Sequence, residues 1–360
     1  MKLKLFSFFS GLGLLDLGFE KSGFEIVEVF EKKEEFLEMY KYSRKKMGIP
    51  LPKYGYSLAD VENLLDDKEF ELKIESEKKE GLVGFIGGPP CPDFSIAGKN
   101  MGAEGVNGRL STIYFELIKK YNPDFFLFEN VKGIWRTKKN RTYIESKMEE
   151  MISSNYEITF DILNSLDFGV PQDRERFFIF GLTQTRLHIK DQNNNLKIFN
   201  EAIKNVSKKT AYNWPTTDIF EENASRLMPN EIEKELTVEH WFVKNDVYNH
   251  PNAADFFRPK SLIKFKTIEE GDISKKSFKR IHRWRYSPTA AYGNNEVHLH
   301  PYLERRLSVA EALAIQSAPK EFELPTNISL TDKFKAIGNA VPFLMAEGIA
   351  RRIQTVLIGE

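Results

Sequence analysis

A thiol, a carboxyl and two guanidinium groups stand at the ends of three apolar runs in this chain. Cys91, the only cysteine among 360 residues, sits between two prolines in "GGPPCPDFS" (87–95), just after "LVGFI". One cysteine forms no internal disulfide and supplies no zinc site by itself, which leaves a packed thiol or a nucleophile. Glu129 belongs to "DFFLFEN" (124–130), where desolvation would raise its pKa and let it donate or share a proton near neutrality. Arg174 and Arg176 lie two apart in "QDRERFFIFG" and share a face if the segment is extended. An ion pair between Glu129 and one of these arginines is the plainer reading of the same residues. Yet all of these groups lie at strand ends or in loops, where parallel sheets present chemistry. Their convergence marks a candidate site.

A second constellation opens the chain. The first apolar run leads into "FFSGLGLLDLGF", and glycines at 11 and 13 between a strand and a helix let backbone amides approach a carboxylate or phosphate. The spacing is not the GxGxxG dinucleotide fingerprint, because Leu14 and Asp16 follow. Glu31 ends the next run, a place where doubly wound folds bind ribose hydroxyls, although it also reads as one more charge in "EKKEEF". Asp60, after "YGYSLA", is equally open.

The elements that must position these groups are strands at 3–9, 25–30, 82–88, 124–130, 156–163 and 176–181, alternating with helical patterns. Runs without polar alternation predict strands covered on both faces, hence a doubly wound, mostly parallel α/β sheet. After Gly181 the rhythm breaks. Residues 183–301 are polar and irregular and read as a second, smaller domain or long insertion, flanked by 1–182 and a returning segment at 302–360. Helical patterns resume at 303–316 and at 335–357, the latter an apolar helix able to dock on the sheet. Charge is balanced, 52 basic residues against 52 acidic, so any polyanion site must be a local patch. No apolar run approaches the ~20 residues of a membrane span, and "MKLKLFSFFSGLG" lacks the form of a signal peptide, so a cytoplasmic protein is expected.

Taken in order, "FSGLG", "GGPPCPDFS", "FENV", "QDRER", "RRLSVAEALAIQ" and "GNAVP" resemble the DNA (cytosine-5)-methyltransferases of bacterial modification systems, over residues 1–182 and roughly 283–360. The resemblance implies a class I S-adenosylmethionine-dependent methyltransferase sheet with an inserted target-recognition domain. It implies that Phe9 stacks on the adenine, Gly11 and Gly13 admit the methionine end, Glu31 binds the ribose, and Asp60 with Val61 holds the base. Leu12, Gly88, Pro90, Leu110, Asn339 and Val341 complete the implied pocket. Cys91 as thiolate would add to carbon 6 of cytosine, Glu129 would serve ring N3, and Arg176 with Arg174 would hold O2 and the backbone. Such chemistry requires a base flipped out of the duplex, under a loop formed by the glycine-containing stretch after Cys91. Ser95, Arg283, Arg285 and Thr289 are the implied DNA contacts.

Three positions depart from the family pattern: Pro92 stands where glutamine is usual, Ser7 where aspartate is usual, and Leu14 where the second of two paired glycines is usual. Between Arg258 and Arg285, ten Lys or Arg stand against three acids, the local patch that the neutral chain otherwise lacks. The histidines show no metal-ligand spacing, and no metal is expected. The implied partners are double-stranded DNA and a cognate restriction endonuclease, with the chain acting as a monomer. An RNA cytosine-5 methyltransferase is the alternative, disfavoured by the long middle segment.

Overall fold

The computed structural model describes residues 1–90, 106–187, 207–259, 261–275, 277–290, 292 and 297–358. Cys91, Pro92 and Ser95, and the stretch expected to close over the base, lie outside the described residues. Strand β1 (Lys2–Phe8) leads through helix α1 (Leu14–Lys21) to β2 (Glu25–Glu31), α2 (Glu34–Lys46) and β3 (Tyr56–Leu58). Then come α3 (Lys68–Lys78), β4 (Gly81–Gly87), α4 (Val106–Tyr121), β5 (Phe125–Val131), the short α5 (Gly133–Arg136) and α6 (Lys138–Ser153). Strand β6 (Tyr156–Asn164), the two-residue β7 (Gln172–Asp173) and β8 (Glu175–Thr183) finish this half.

Seven strands form one sheet in the order β3-β2-β1-β4-β5-β8-β6. Pairing is parallel from β3 to β5, whereas β8 runs antiparallel to both β5 and β6. Parallel neighbours need a crossover, which the intervening helices supply; β8 follows β6 after a short connection and therefore enters the sheet antiparallel. Leu3 and Leu5 of β1 face a cluster with Phe19, Met345, Ile349 and Ile353. Phe6 and Phe8 face the other way, toward Phe70, Ile74, Tyr114 and Ile144. The sheet is thus covered on both faces, as its unalternating strands predict.

The closing apolar stretch is two helices, not one. Helix α11 ends at Asn339 and α12 begins at Phe343, with α11 spanning Leu330–Asn339 and α12 Phe343–Ile358; the intervening helices are α7 (Gln184–Leu187), α8 (Val238–Lys244), α9 (Ile263–Thr267) and α10 (Val309–Ile315). Pro342 lacks an N–H and cannot continue α11, but its carbonyl accepts from Ala346 N at 3.0 Å, so it opens α12. That break leaves Asn339 exposed at a helix end. Helix α12 docks on α1 at Gly18, where a Cβ would lie 2.5 Å from the Glu347 backbone nitrogen, so only glycine permits the approach. The pattern at 303–316 yields only α10, started by a reciprocal cap between Ser308 and Glu311.

Among the described residues, the middle of the chain carries only short elements, including β9 (Lys279–Arg280), β10 (Ser287–Pro288) and β11 (His298–Leu299). It is not packed in isolation. Val238, Trp241, Phe242 and Ile281 share a core with Leu307, Ala310 and Ile315, and β10 pairs with β7.

Candidate active site

Strand β5 carries Glu129 to the carboxyl end of the sheet, and antiparallel β8 brings Arg176 back beside it, in register with Val131. Arg176 Nε lies 3.1 Å from Glu129 Oε1, and both side chains are nearly buried. Burial pushes the Glu129 carboxyl above the ordinary carboxylate range, opposed by the charges of Arg176 and Arg174. At the end of β4, a side chain on Gly88 would fall 2.6 Å from Glu129 Oε2, so glycine there leaves the carboxyl its space. Pro89 follows, and its carbonyl accepts from Asn130 Nδ2 at 3.4 Å. The segment leading to Cys91 is therefore tied to the residue after Glu129.

Arg174 differs from the expectation that it acts beside Arg176. It is fully buried, and its guanidinium donates to the carbonyls of Ala290 (3.2 Å) and Gly338 (2.7 Å). Its place in the structure is that of a tie between the sheet and two later segments.

The glycine loop is braced from both sides. Gly11 N donates to Glu31 Oε2 and Lys33 N to Glu31 Oε1, each at 2.8 Å, which fixes the carboxylate beside the loop. Burial raises the Glu31 pKa against these backbone hydrogen bonds. Gly13 has φ 79°, and a Cβ there would sit 2.3 Å from the Tyr40 ring, so both conformation and space demand glycine. Phe9 also has positive φ and is half-buried, with its ring 6.2 Å from that of Tyr114.

Beneath this loop lies a network that sequence reasoning missed. Ser7 Oγ donates to Asp16 Oδ1 at 2.8 Å and Tyr40 OH to Asp16 Oδ2 at 2.9 Å, while Arg44 Nη2 donates to Gly13 O at 2.7 Å. Arg44 also pairs with Glu20 at 2.8 Å. The one available signal was Tyr40 and Arg44 four apart on a helix. Two family departures acquire a local reason: Ser7 serves Asp16, and Leu14 is buried among Leu17, Phe36 and Leu313.

The remaining implied pocket residues divide. Leu12 and Val61 are core side chains, 1% and 3% exposed, so only their backbones can meet a ligand; Val341 is similarly buried. Asp60 pairs with Lys32, which holds its carboxyl below the usual range. Leu110 is half-buried, and Pro90 and Asn339 are exposed.

On the middle segment the structure corrects the charge count. Arg283 is 4% exposed and clamps Glu270 through two bonds of 2.8 Å, so it is a buried brace and not a free phosphate contact. Arg280 is fully buried against the carbonyls of Ile268, His300 and Leu303, and desolvation lowers its pKa to about 10. Arg258, Lys264, Lys266 and Lys275 are exposed. Arg285 is half-buried over the Tyr286 ring, and Thr289 Oγ1 donates to Asp173 O at 2.7 Å. His298 and His300 are buried, which lowers each to about 3 and keeps them neutral.

Comparison with known proteins gives five matches. The family model for C-5 cytosine-specific DNA methylase matches residues 3–355. Type II methyltransferase M.NmeDI of Neisseria meningitidis serogroup C is 52% identical over 362 residues, which cover 99% of this chain and 84% of that protein. M.MthTI, a type II methyltransferase of Methanothermobacter thermautotrophicus, is 31% identical across 100% of this chain and 99% of its own. Among solved structures, a protein encoded within an E. coli prophage superposes with a TM-score of 0.62 at 22% identity, covering 100% of both chains. Dnmt2 of S. pombe superposes with a TM-score of 0.60 at 12% identity, covering 99% of each. These two likenesses establish the shared fold.

Proposed function

The chain belongs to the C-5 cytosine-specific DNA methylase family, and from that premise we propose how its own residues carry the reaction. It is a type II DNA cytosine-5 methyltransferase that modifies DNA at a specific site, and the family uses S-adenosylmethionine. The donor set fits that molecule: two glycines beside a helix start, a Glu31 carboxylate fixed by backbone N–H groups at the end of β2, and a half-buried Phe9 ring. Glu31 would hold the ribose, Phe9 the adenine, and the Gly11–Gly13 backbone the amino-acid end, with Asp60, Gly88, Pro90, Leu110 and Asn339 around them. Bound there, the sulfonium supplies an electrophilic methyl group.

The rest is the work of the chain. Carbon 5 of cytosine is a poor nucleophile until the ring becomes an enamine. Cys91 adds to carbon 6 of a base flipped from the duplex, and Glu129 gives ring N3 a proton or hydrogen bond as charge develops there. Arg176 holds Glu129 and the base oxygen. Once carbon 5 is substituted, its proton leaves and Cys91 is expelled. The observation that carries this reading is the buried Glu129–Arg176 pair, with Pro89 tied to the neighbouring Asn130. Residues 183–301 would read the target, with Ser95, Arg285 and Thr289 among the DNA contacts. Monomeric action on duplex DNA in the bacterial cytoplasm, beside a cognate endonuclease, belongs to the same proposal.

Enzymatic methylation sequencing of DNA from cells expressing the chain should find 5-methylcytosine within one short motif. Its absence from DNA, or its appearance in RNA, would overturn the reading. Glu31→Ala should weaken S-adenosylhomocysteine binding by roughly 1.5–3 kcal/mol, the worth of hydrogen bonds to a charged acceptor. Calorimetry that finds unchanged affinity removes Glu31 from the pocket.

A further inference from the structure

The mechanism above leaves two buried glutamines without a role. Gln172 is fully buried in β7. Its Oε1 accepts from Ala290 N at 2.9 Å, and its Nε2 donates to Gln316 Oε1 at 3.2 Å and Ile315 O at 3.4 Å. Gln316, equally buried, passes the link on by donating from Nε2 to Ile337 O at 2.6 Å. Arg174, two residues beyond Gln172, grips the carbonyls of Ala290 and Gly338. The segments so joined also touch directly, since a side chain on Gly338 would meet Ala290 O at 3.2 Å and Tyr292 N at 3.3 Å.

Ala290 follows Thr289, and Gly338 precedes Asn339. A closed ring of buried amide and guanidinium bonds therefore lies between a proposed DNA contact and a proposed wall of the cofactor pocket. Neither segment shifts against the other without leaving several buried donors and acceptors unmade, which is costly in a dry interior. We propose that Gln172 is a positioning residue that locks the Thr289 stretch and the Asn339 end of α11 in one register, so that DNA and cofactor binding depend on the same side chain. This rests on the assignment of Thr289 and Asn339 given above. Glutamine suits the place because it offers one acceptor to Ala290 N and donors to two oxygens. A glutamate keeps the volume and the acceptor but turns an oxygen toward Gln316 Oε1 and Ile315 O.

The test compares the full-length wild type with Gln172→Glu, and with Gln316→Met, which removes the same link from the other side. Tritium transfer from S-adenosylmethionine to unmethylated phage genomic DNA gives KM for each substrate, and kcat per active enzyme. In both variants the two KM values should rise together, each by about fivefold or more, with kcat within about twofold, as a lost buried hydrogen bond predicts for binding. A rise in one KM alone overturns the proposal. So does a variant that only melts earlier or loses active fraction with both KM values unchanged, or failure of both variants to fold, since each shows a purely structural role. A wild type that transfers no methyl group sinks the functional reading instead.

Discussion

Cys91→Ala should reduce methyl transfer to background while leaving S-adenosylhomocysteine affinity within about twofold, because in the proposed mechanism the thiol acts on the base and not on the cofactor. The proposal assigns the nucleophile's role to a thiol, and the sequence contains no second cysteine to substitute for it. The protein should also keep its stability, since the sheet, its two covering cores and the braced glycine loop are built from other residues. Transfer assays and calorimetry on the purified variant separate these effects. Transfer persisting near the wild-type rate would remove Cys91 from the mechanism, and loss of cofactor binding would recast it as a structural thiol.

Glu129→Gln should lower kcat by about 10²-fold, at the modest end of what positioned acid–base groups contribute. The amide can hydrogen-bond ring N3 but cannot deliver a proton. The pH profile carries a second signature. Burial raises the Glu129 pKa, so the protonated form persists to higher pH than for an exposed carboxyl and is lost as pH rises through that raised value. The wild type should show the corresponding fall in kcat/KM with rising pH, opposing the gain from thiolate formation, and the glutamine variant should lack that limb. An unchanged rate and profile would return Glu129 to a purely structural ion pair with Arg176.

The sheet that carries Glu129 and Arg176 was legible in the sequence because strand ends are marked by where apolar runs stop. The runs around 3–9, 82–88, 124–130 and 176–181 all became strands of one sheet, which brought Glu129 and Arg176 together. What the sequence hid were partners distant in the chain. Nothing near Gln172 announces Ala290 or Gln316, more than a hundred residues away. A run of basic residues likewise says nothing of which are spent inside: Arg283 is consumed by Glu270 and Arg280 by backbone carbonyls, so the patch is smaller than its composition. The division of the last helix was readable at Pro342, whose missing N–H forbids a continuous helix. The departures at Ser7 and Leu14 could be explained only once Asp16, Tyr40 and the core beneath the loop were in place.

Trapping the proposed covalent bond between Cys91 and carbon 6 of a cytosine in duplex DNA is the most direct measurement. Duplexes holding every short sequence context, with 5-fluorocytosine in place of cytosine, are incubated with the protein and S-adenosylmethionine and resolved under denaturing conditions. Fluorine occupies the place of the proton that must leave carbon 5, so expulsion of Cys91 stalls after transfer and the protein stays attached. A cofactor-dependent protein–DNA band is expected that is absent with Cys91→Ala, forms slowly with Glu129→Gln, and is weak with single-stranded or RNA substrates. No band with the wild type, a band that survives Cys91→Ala, or RNA trapped as well as duplex DNA would contradict it.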